Sequence, residues 1–134
     1  MPMTHQDHIT EVALADLVQR FYAKVREDAV LGPVFNGAVE HWDEHFETLT
    51  RFWSSVMLTS GTYKGNPMAV HTKLAAVIKM PMFDRWLALW KETTEEMFTP
   101  ELAAQFQDRA ARIAKSLKLG LEFEESRLEA GRQP

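Results

Sequence analysis

Apolar and polar positions alternate with a helical period along most of the chain. From Val12 to Val25 the apolar side chains recur every three or four positions, with charged and amide side chains between them. Because about 3.6 residues complete one turn of an α-helix, this spacing places the apolar side chains on one face. The pattern predicts a first helix that begins near Thr10. It predicts further helices over about 41–59, 68–78, 82–98 and 100–125.

Glycine and proline interrupt this pattern at a few places. The segment Leu31-Gly32-Pro33 ends the first helical stretch, and Phe35 follows it in a turn-like setting. Residues 60–68 contain Ser, Asn, Pro and two Gly, which predicts a loop. Pro81 and Pro100 lie where the first turn of a helix is expected, and proline is tolerated there. Since no segment alternates with a period of two, the sequence predicts an all-α fold around one core.

The length of the chain fits one domain. A chain of 134 residues can bury a core and, if helical, a flat cofactor. No internal repeat, linker or low-complexity tract divides it. We therefore expect a single domain over residues 1–134, with an ordered core of about 9–125 and polar ends that fray.

Charge and composition exclude several classes of partner. The net charge of -4 gives no basic surface for nucleic acid or for an anionic lipid surface. The chain contains no cysteine, which excludes disulfides and cysteine-based zinc sites. The N-terminus lacks the apolar region of a signal peptide, and no stretch reaches the roughly 18 apolar residues of a membrane span. These features predict a cytoplasmic protein that binds neither nucleic acid nor membranes.

One histidine, His71, lies in apolar surroundings directly after the break Gly61-x-x-x-Gly65-x-Pro67. A histidine in this setting is either a core residue with a satisfied hydrogen bond or the single protein ligand of a metal that something else holds. Haem is such a group, because its ring supplies four nitrogens and the protein supplies an axial imidazole. Judged alone, His71 fits the core interpretation better than the ligand interpretation.

Two other histidines suggest a different metal. His41 and His45 are one helical turn apart, and residues 41–45 match the zinc-protease pattern His-x-x-Glu-His. A zinc hydrolase would also need a third ligand. A five-residue pattern of this kind arises easily by chance, so a small zinc hydrolase is the third-ranked hypothesis.

The order of several uncommon residues favours haem. Phe21-Tyr22 is followed by Leu31-Gly32-Pro33-Val34-Phe35, then by His45 and Phe52-Trp53, then by Tyr63-x-Gly65-x-Pro67-x-x-x-His71, and finally by Phe83-x-x-Trp86. This order resembles the truncated haemoglobins, most closely their group III (the P-type), over about residues 9–125. The resemblance implies a shortened globin, in which a two-over-two helical sandwich encloses haem b.

The resemblance also implies roles for individual residues. His71 matches the proximal histidine that ligates the haem iron. Tyr22 matches the distal tyrosine that hydrogen-bonds a bound ligand, and His45 matches a distal histidine that acts partly as a gate. Trp86 matches a tryptophan that completes the distal hydrogen-bonding cluster, and Phe35 matches a phenylalanine that packs against the porphyrin. His41 has no counterpart in this pattern.

The expected property is reversible binding of a diatomic ligand: oxygen first, with carbon monoxide and nitric oxide as others. Strong distal donors slow oxygen release, which favours nitric oxide dioxygenation or peroxide chemistry over oxygen transport. Such turnover would need a separate reductase. The main alternative is a cofactor-free helical module for interaction or regulation. The sequence does not set the oligomeric state and is compatible with a monomer.

Overall fold

The computed structural model describes residues 5–75 and 77–132, and within these ranges it contains six α-helices. They are α1 (Glu11–Glu27), α2 (Gly32–Ala38), α3 (Trp42–Leu58), α4 (Pro67–Thr72), α5 (Met80–Met97) and α6 (Pro100–Arg132). Extended pairing in the described residues consists of one isolated bridge between Gln6 and Phe98. The prediction of an all-α fold is therefore confirmed. No helix in the described ranges is both long enough and apolar enough to cross a membrane.

Side-chain caps fix the start of two helices. The Thr10 hydroxyl accepts a hydrogen bond from the Ala13 N–H at 3.0 Å, and the Asn66 side chain accepts one from the Ala69 N–H at 3.1 Å. Each cap satisfies a backbone donor that the first helical turn leaves unpaired. The Asn66 cap begins the short helix that carries His71.

The segment around Phe35 differs from the prediction. It is the helix α2 and not a turn, because Pro33 lies in the first turn of the helix, where no N–H is required. The Asp28 carboxylate accepts hydrogen bonds from the N–H groups of Val30 and Leu31 at 3.0 and 2.9 Å and so orders the entry to α2. Gly32 is also needed here, since a Cβ atom at this position would lie 2.7 Å from the Arg26 carbonyl oxygen.

Two helix ends also differ from the prediction. The helix that carries His71 ends at Thr72, whereas it was expected to continue to residue 78, and turns follow at residues 73–75 and 77. In contrast, α6 continues to Arg132, beyond the end expected near residue 125. An ion pair of 2.6 Å between Arg127 and Glu124, three positions apart, supports this last stretch of helix.

Two pairs of helices form the sandwich. α1 packs on α3, α5 packs on α6, and α1 also contacts α5. Where the pairs meet, the ring of Trp53 stacks on that of Trp90 with centroids 4.5 Å apart. Trp90 is fully buried, and its indole N–H donates to the Phe106 carbonyl oxygen at 3.1 Å, so the large aromatic core leaves no polar atom of this ring unpaired.

The short helix α4 packs on α6, away from the main contact of α3 with α1. Met68 on α4 lies against a second, smaller apolar cluster that includes Leu117 and Leu121 of α6. A cavity therefore opens between α3 on one side and α4 with α6 on the other, and residues from these helices line it.

Candidate functional site

The cavity has a volume of about 710 Å³, which lies in the usual range of roughly 300–1,000 Å³ for sites that hold a cofactor. Much of its wall is apolar, with side chains such as Leu49, Phe52, Ile78, Phe83 and Ile113. The structure brings all five side chains that the resemblance assigned to the site onto this wall: Tyr22, Phe35, His45, His71 and Trp86. They come from five different helices, and the first and the last of them are 64 positions apart in sequence.

His71 has one ring nitrogen fixed by its own helix. Its Nδ1 lies 2.7 Å from the carbonyl oxygen of Pro67, four residues earlier. Because a carbonyl oxygen only accepts, Nδ1 must carry the proton and donate it to this bond. In the neutral imidazole, Nε2 then keeps its lone pair, which is the form that ligates a metal. The half-buried ring of His71 lines the cavity, so it can serve as an axial ligand there.

Tyr22 lies on α1 and is only 5% exposed. Burial raises the pKa of its hydroxyl to about 12, although a hydrogen bond from the Trp86 side chain opposes part of this rise. The phenol is therefore neutral across the physiological pH range. Since its oxygen accepts the indole N–H of Trp86, its own O–H remains available to donate to a ligand in the cavity.

Trp86 is held in place by two aromatic neighbours. Its ring is nearly parallel to that of Trp90, with 5.9 Å between centroids and 2° between planes. The ring of Phe21 meets it edge-on at 5.5 Å. Contacts of this kind favour one orientation of the indole. The N–H that reaches Tyr22 is thus positioned before any ligand binds.

His45 is half-buried on α3, close to Tyr22. The two rings meet edge-on with centroids 5.8 Å apart, and Trp42 meets the His45 ring in the same way at 5.5 Å. Burial lowers the pKa of the imidazole below its ordinary value, which favours the neutral form. Phe35 also packs against the phenol ring of Tyr22, with ring centroids 5.6 Å apart.

His41 lies at the start of α3, outside the helix, and is exposed at the cavity rim. It shares this rim with His45, as the sequence pattern suggested. Across the described part of the chain, however, no three side chains of His, Cys, Asp or Glu come together as a set that could hold a metal ion. The zinc hydrolase hypothesis therefore lacks a ligand set in this structure.

Several wall residues were not predicted from the sequence. Tyr63 lines the cavity from the loop before α4, where its ring meets Phe52 edge-on at 5.2 Å and its backbone N–H donates to the Ser55 hydroxyl at 2.9 Å. Glu40 and Glu44 lie near His41 at the rim. Tyr63 belongs to the motif that ends at His71, but the spacing of this motif did not indicate that Tyr63 lines the cavity.

Comparisons with known proteins agree with this geometry. The family described as bacterial-like globin matches residues 7–118. A group 3 truncated hemoglobin, ctb, from Campylobacter jejuni is 34% identical to the chain over 110 residues, which are 79% of this chain and 86% of that protein. The crystal structure of a group III truncated hemoglobin from Campylobacter jejuni superposes with a TM-score of 0.82 at 30% identity, covering 88% of this chain and 95% of the other.

The fold, the cavity and these matches lead to the same conclusion. The two-over-two arrangement of helices is that of the matched crystal structure. Family membership implies that the chain binds haem and a ligand at its iron. The chain belongs to the bacterial-like globins and, among them, to the group III truncated haemoglobins.

Proposed function

We propose that the chain holds haem b in this cavity, with His71 as the axial ligand, and binds oxygen or another diatomic gas beside Tyr22. The observation that carries the proposal is the bond from His71 Nδ1 to the Pro67 carbonyl, because it leaves Nε2 as the free donor on the cavity wall. An apolar cavity of about 710 Å³ around such a nitrogen fits a flat, mostly apolar cofactor.

When bound, haem supplies an iron centre that binds diatomic gases and exchanges electrons. The chain supplies the surroundings. Apolar side chains exclude water from the cavity, and Phe35 offers a face on which the porphyrin can pack. The neutral hydroxyl of Tyr22, oriented by Trp86, provides a hydrogen-bond donor toward the ligand, and His45 stands next to it as a neutral imidazole.

This set of donors favours retention of oxygen over its delivery. A buried hydrogen bond to a partly charged oxygen stabilises the bound ligand by about 1–3 kcal/mol and slows its release by a corresponding factor. Slow release makes a poor carrier. We infer that the protein supports nitric oxide dioxygenation or peroxide chemistry in the cytoplasm, with a separate reductase as its electron donor. Measurement of nitric oxide consumption by the reduced, oxygenated protein tests this finer role.

The first test of the proposal is an absorption spectrum after reconstitution with hemin. We expect a Soret band that shifts when the reduced protein is exposed to carbon monoxide. His71→Ala should lose stable haem, whereas His41→Ala, at the rim of the same cavity, should keep it. A normal five-coordinate ferrous spectrum in His71→Ala would show that His71 is not the axial ligand. If the unsubstituted chain takes up no haem, the cofactor-free helical module becomes the better hypothesis.

The second test concerns the distal donor. Tyr22→Phe should release oxygen about 5- to 150-fold faster in a stopped-flow measurement, as the loss of one hydrogen bond of 1–3 kcal/mol predicts. Tyr63→Phe is the matched control, because Tyr63 lines the same cavity and lies outside the Tyr22–Trp86 pair. An unchanged release rate in Tyr22→Phe would remove Tyr22 from the proposed donor set.

A further inference from the structure

Two large apolar side chains lie exposed next to each other on α6. Leu119 is 59% exposed and Phe123 is 72% exposed. Since they are four positions apart, they lie one above the other on one face of the helix. Leu117 and Leu121, on the opposite face, are buried against the rest of the protein. A single exposed apolar residue is ordinary, but two neighbouring ones on the same helix face form a patch that faces solvent directly.

Two of the exposed charged residues beside this patch, Lys115 and Glu122, are placed in a self-complementary way. Lys115 and Glu122 are exposed and seven positions apart, so both lie along the same edge of the patch. Within the described part of the chain neither of them forms an ion pair, although the neighbouring Lys118 pairs with Asp84. The midpoint between Lys115 and Glu122 lies next to Leu119.

We propose that this face of α6 binds the same face of a second copy of the chain, with the two helices antiparallel. A two-fold axis beside Leu119 then brings Lys115 of each copy next to Glu122 of the other, and the two Leu119 side chains meet at the centre. Phe123 lies over the aliphatic stem of the other copy's Lys115. A parallel pairing in register would instead place like charges together.

The contact is one helix wide, so the dimer is a weak one. It belongs to the class that buries less than about 1,200 Å² in total. Sedimentation velocity of the haem-loaded full chain over a wide range of concentration should show a reversible monomer–dimer equilibrium. Phe123→Ser should shift it to monomer. Val12→Ser is the matched control, because Val12 is 81% exposed on α1, outside the patch, and its substitution should leave the equilibrium unchanged.

Charge reversal tests the antiparallel arrangement itself. Lys115→Glu alone places like charges together twice, because the two-fold axis repeats the pair, and should raise the dimer dissociation constant by about tenfold or more at low salt. Glu122→Lys alone should do the same. An equimolar mixture of the two variants should associate again, since every cross-pair is then between opposite charges. Lys91→Glu, an exposed reversal on α5, serves as the control.

Loss of association in both single variants and its return in the mixture support the antiparallel dimer. A chain that stays monomeric up to the highest concentration overturns the proposal. So does association that the reversals leave unchanged, or a mixture that stays monomeric. The outcome does not depend on the role of the cavity, because the patch lies on the opposite face of α6 from Leu117, which lines it.

Discussion

The ionisation of Tyr22 gives a quantitative test of the distal side of the cavity. Its pKa is raised from 10.0 to about 12. In the unfolded chain the phenol loses its proton near pH 10, whereas in the folded protein the phenol is still protonated at that pH. A group whose pKa is raised on folding stabilises the protein below its unfolded pKa, and this stabilisation is lost as the pH rises through the folded pKa. The difference between the two pKa values corresponds to a stabilisation of about 3 kcal/mol in full.

The effect is isolated by comparison with Tyr22→Phe. The free energy of unfolding should be measured in urea between pH 9 and 12 for both proteins, as ferrous carbon monoxide complexes at equal concentration, so that ligation stays constant. Other groups titrate in both proteins and cancel in the difference. Relative to the variant, the unsubstituted protein should lose about 1 kcal/mol by pH 11 and about 2 kcal/mol by pH 12.

A second measurement assigns the group directly. The chain has two tyrosines, and ultraviolet titration of tyrosinate should show that the later one disappears in Tyr22→Phe. Tyr63→Phe is the control, since the Tyr63 hydroxyl is less buried, although burial raises its pKa too. If the difference in unfolding free energy between the unsubstituted protein and Tyr22→Phe is constant from pH 9 to 12, the hydroxyl is not buried as described.

Two further predictions concern stability. Gly32→Ala places a Cβ atom 2.7 Å from the Arg26 carbonyl oxygen and should lower the free energy of unfolding in urea by about 1–3 kcal/mol. Gly37→Ala is the control, because a Cβ atom there meets nothing within 4 Å and should not destabilise the protein. Equal effects of the two substitutions would contradict the close approach at Gly32. Burial lowers the pKa of His45 below 6.5, so unfolding takes up a proton and stability should fall as the pH drops below about 6.5. His45→Gln should lose less stability between pH 7 and 5, and an identical loss would show that His45 is not the group responsible.

The pattern of the chain predicted the long helices well, because α1, α3 and α5 each bury one face and expose the other. The pattern did not predict helix bounds correctly where a local contact decides the backbone conformation. The Asp28 carboxylate organises the entry to α2, where the residues around Phe35 were expected to form a turn. In the tail, α6 continues past the end expected near residue 125, and an ion pair between Arg127 and Glu124 joins adjacent turns there.

The site was predictable to a different degree. The order of Tyr22, His45, His71 and Trp86 indicated which side chains share a cavity, and the structure places them there. Helical spacing did not show that Ile113 faces this cavity, because an apolar face toward a cavity and one toward another helix have the same period. The ligand-binding roles of these residues stay predictions until the spectra and rates are measured.

The hydrogen bond between His71 and Pro67 joins two residues of one six-residue helix. The imidazole and the carbonyl that accepts its hydrogen bond would consequently move together in any shift of α4 against α6. The strength of that bond sets how electron-rich the other ring nitrogen is. A displacement of α4 would therefore change the position of His71 Nε2 in the cavity while leaving its basicity nearly constant, so that the position and the electronic character of this nitrogen can vary separately.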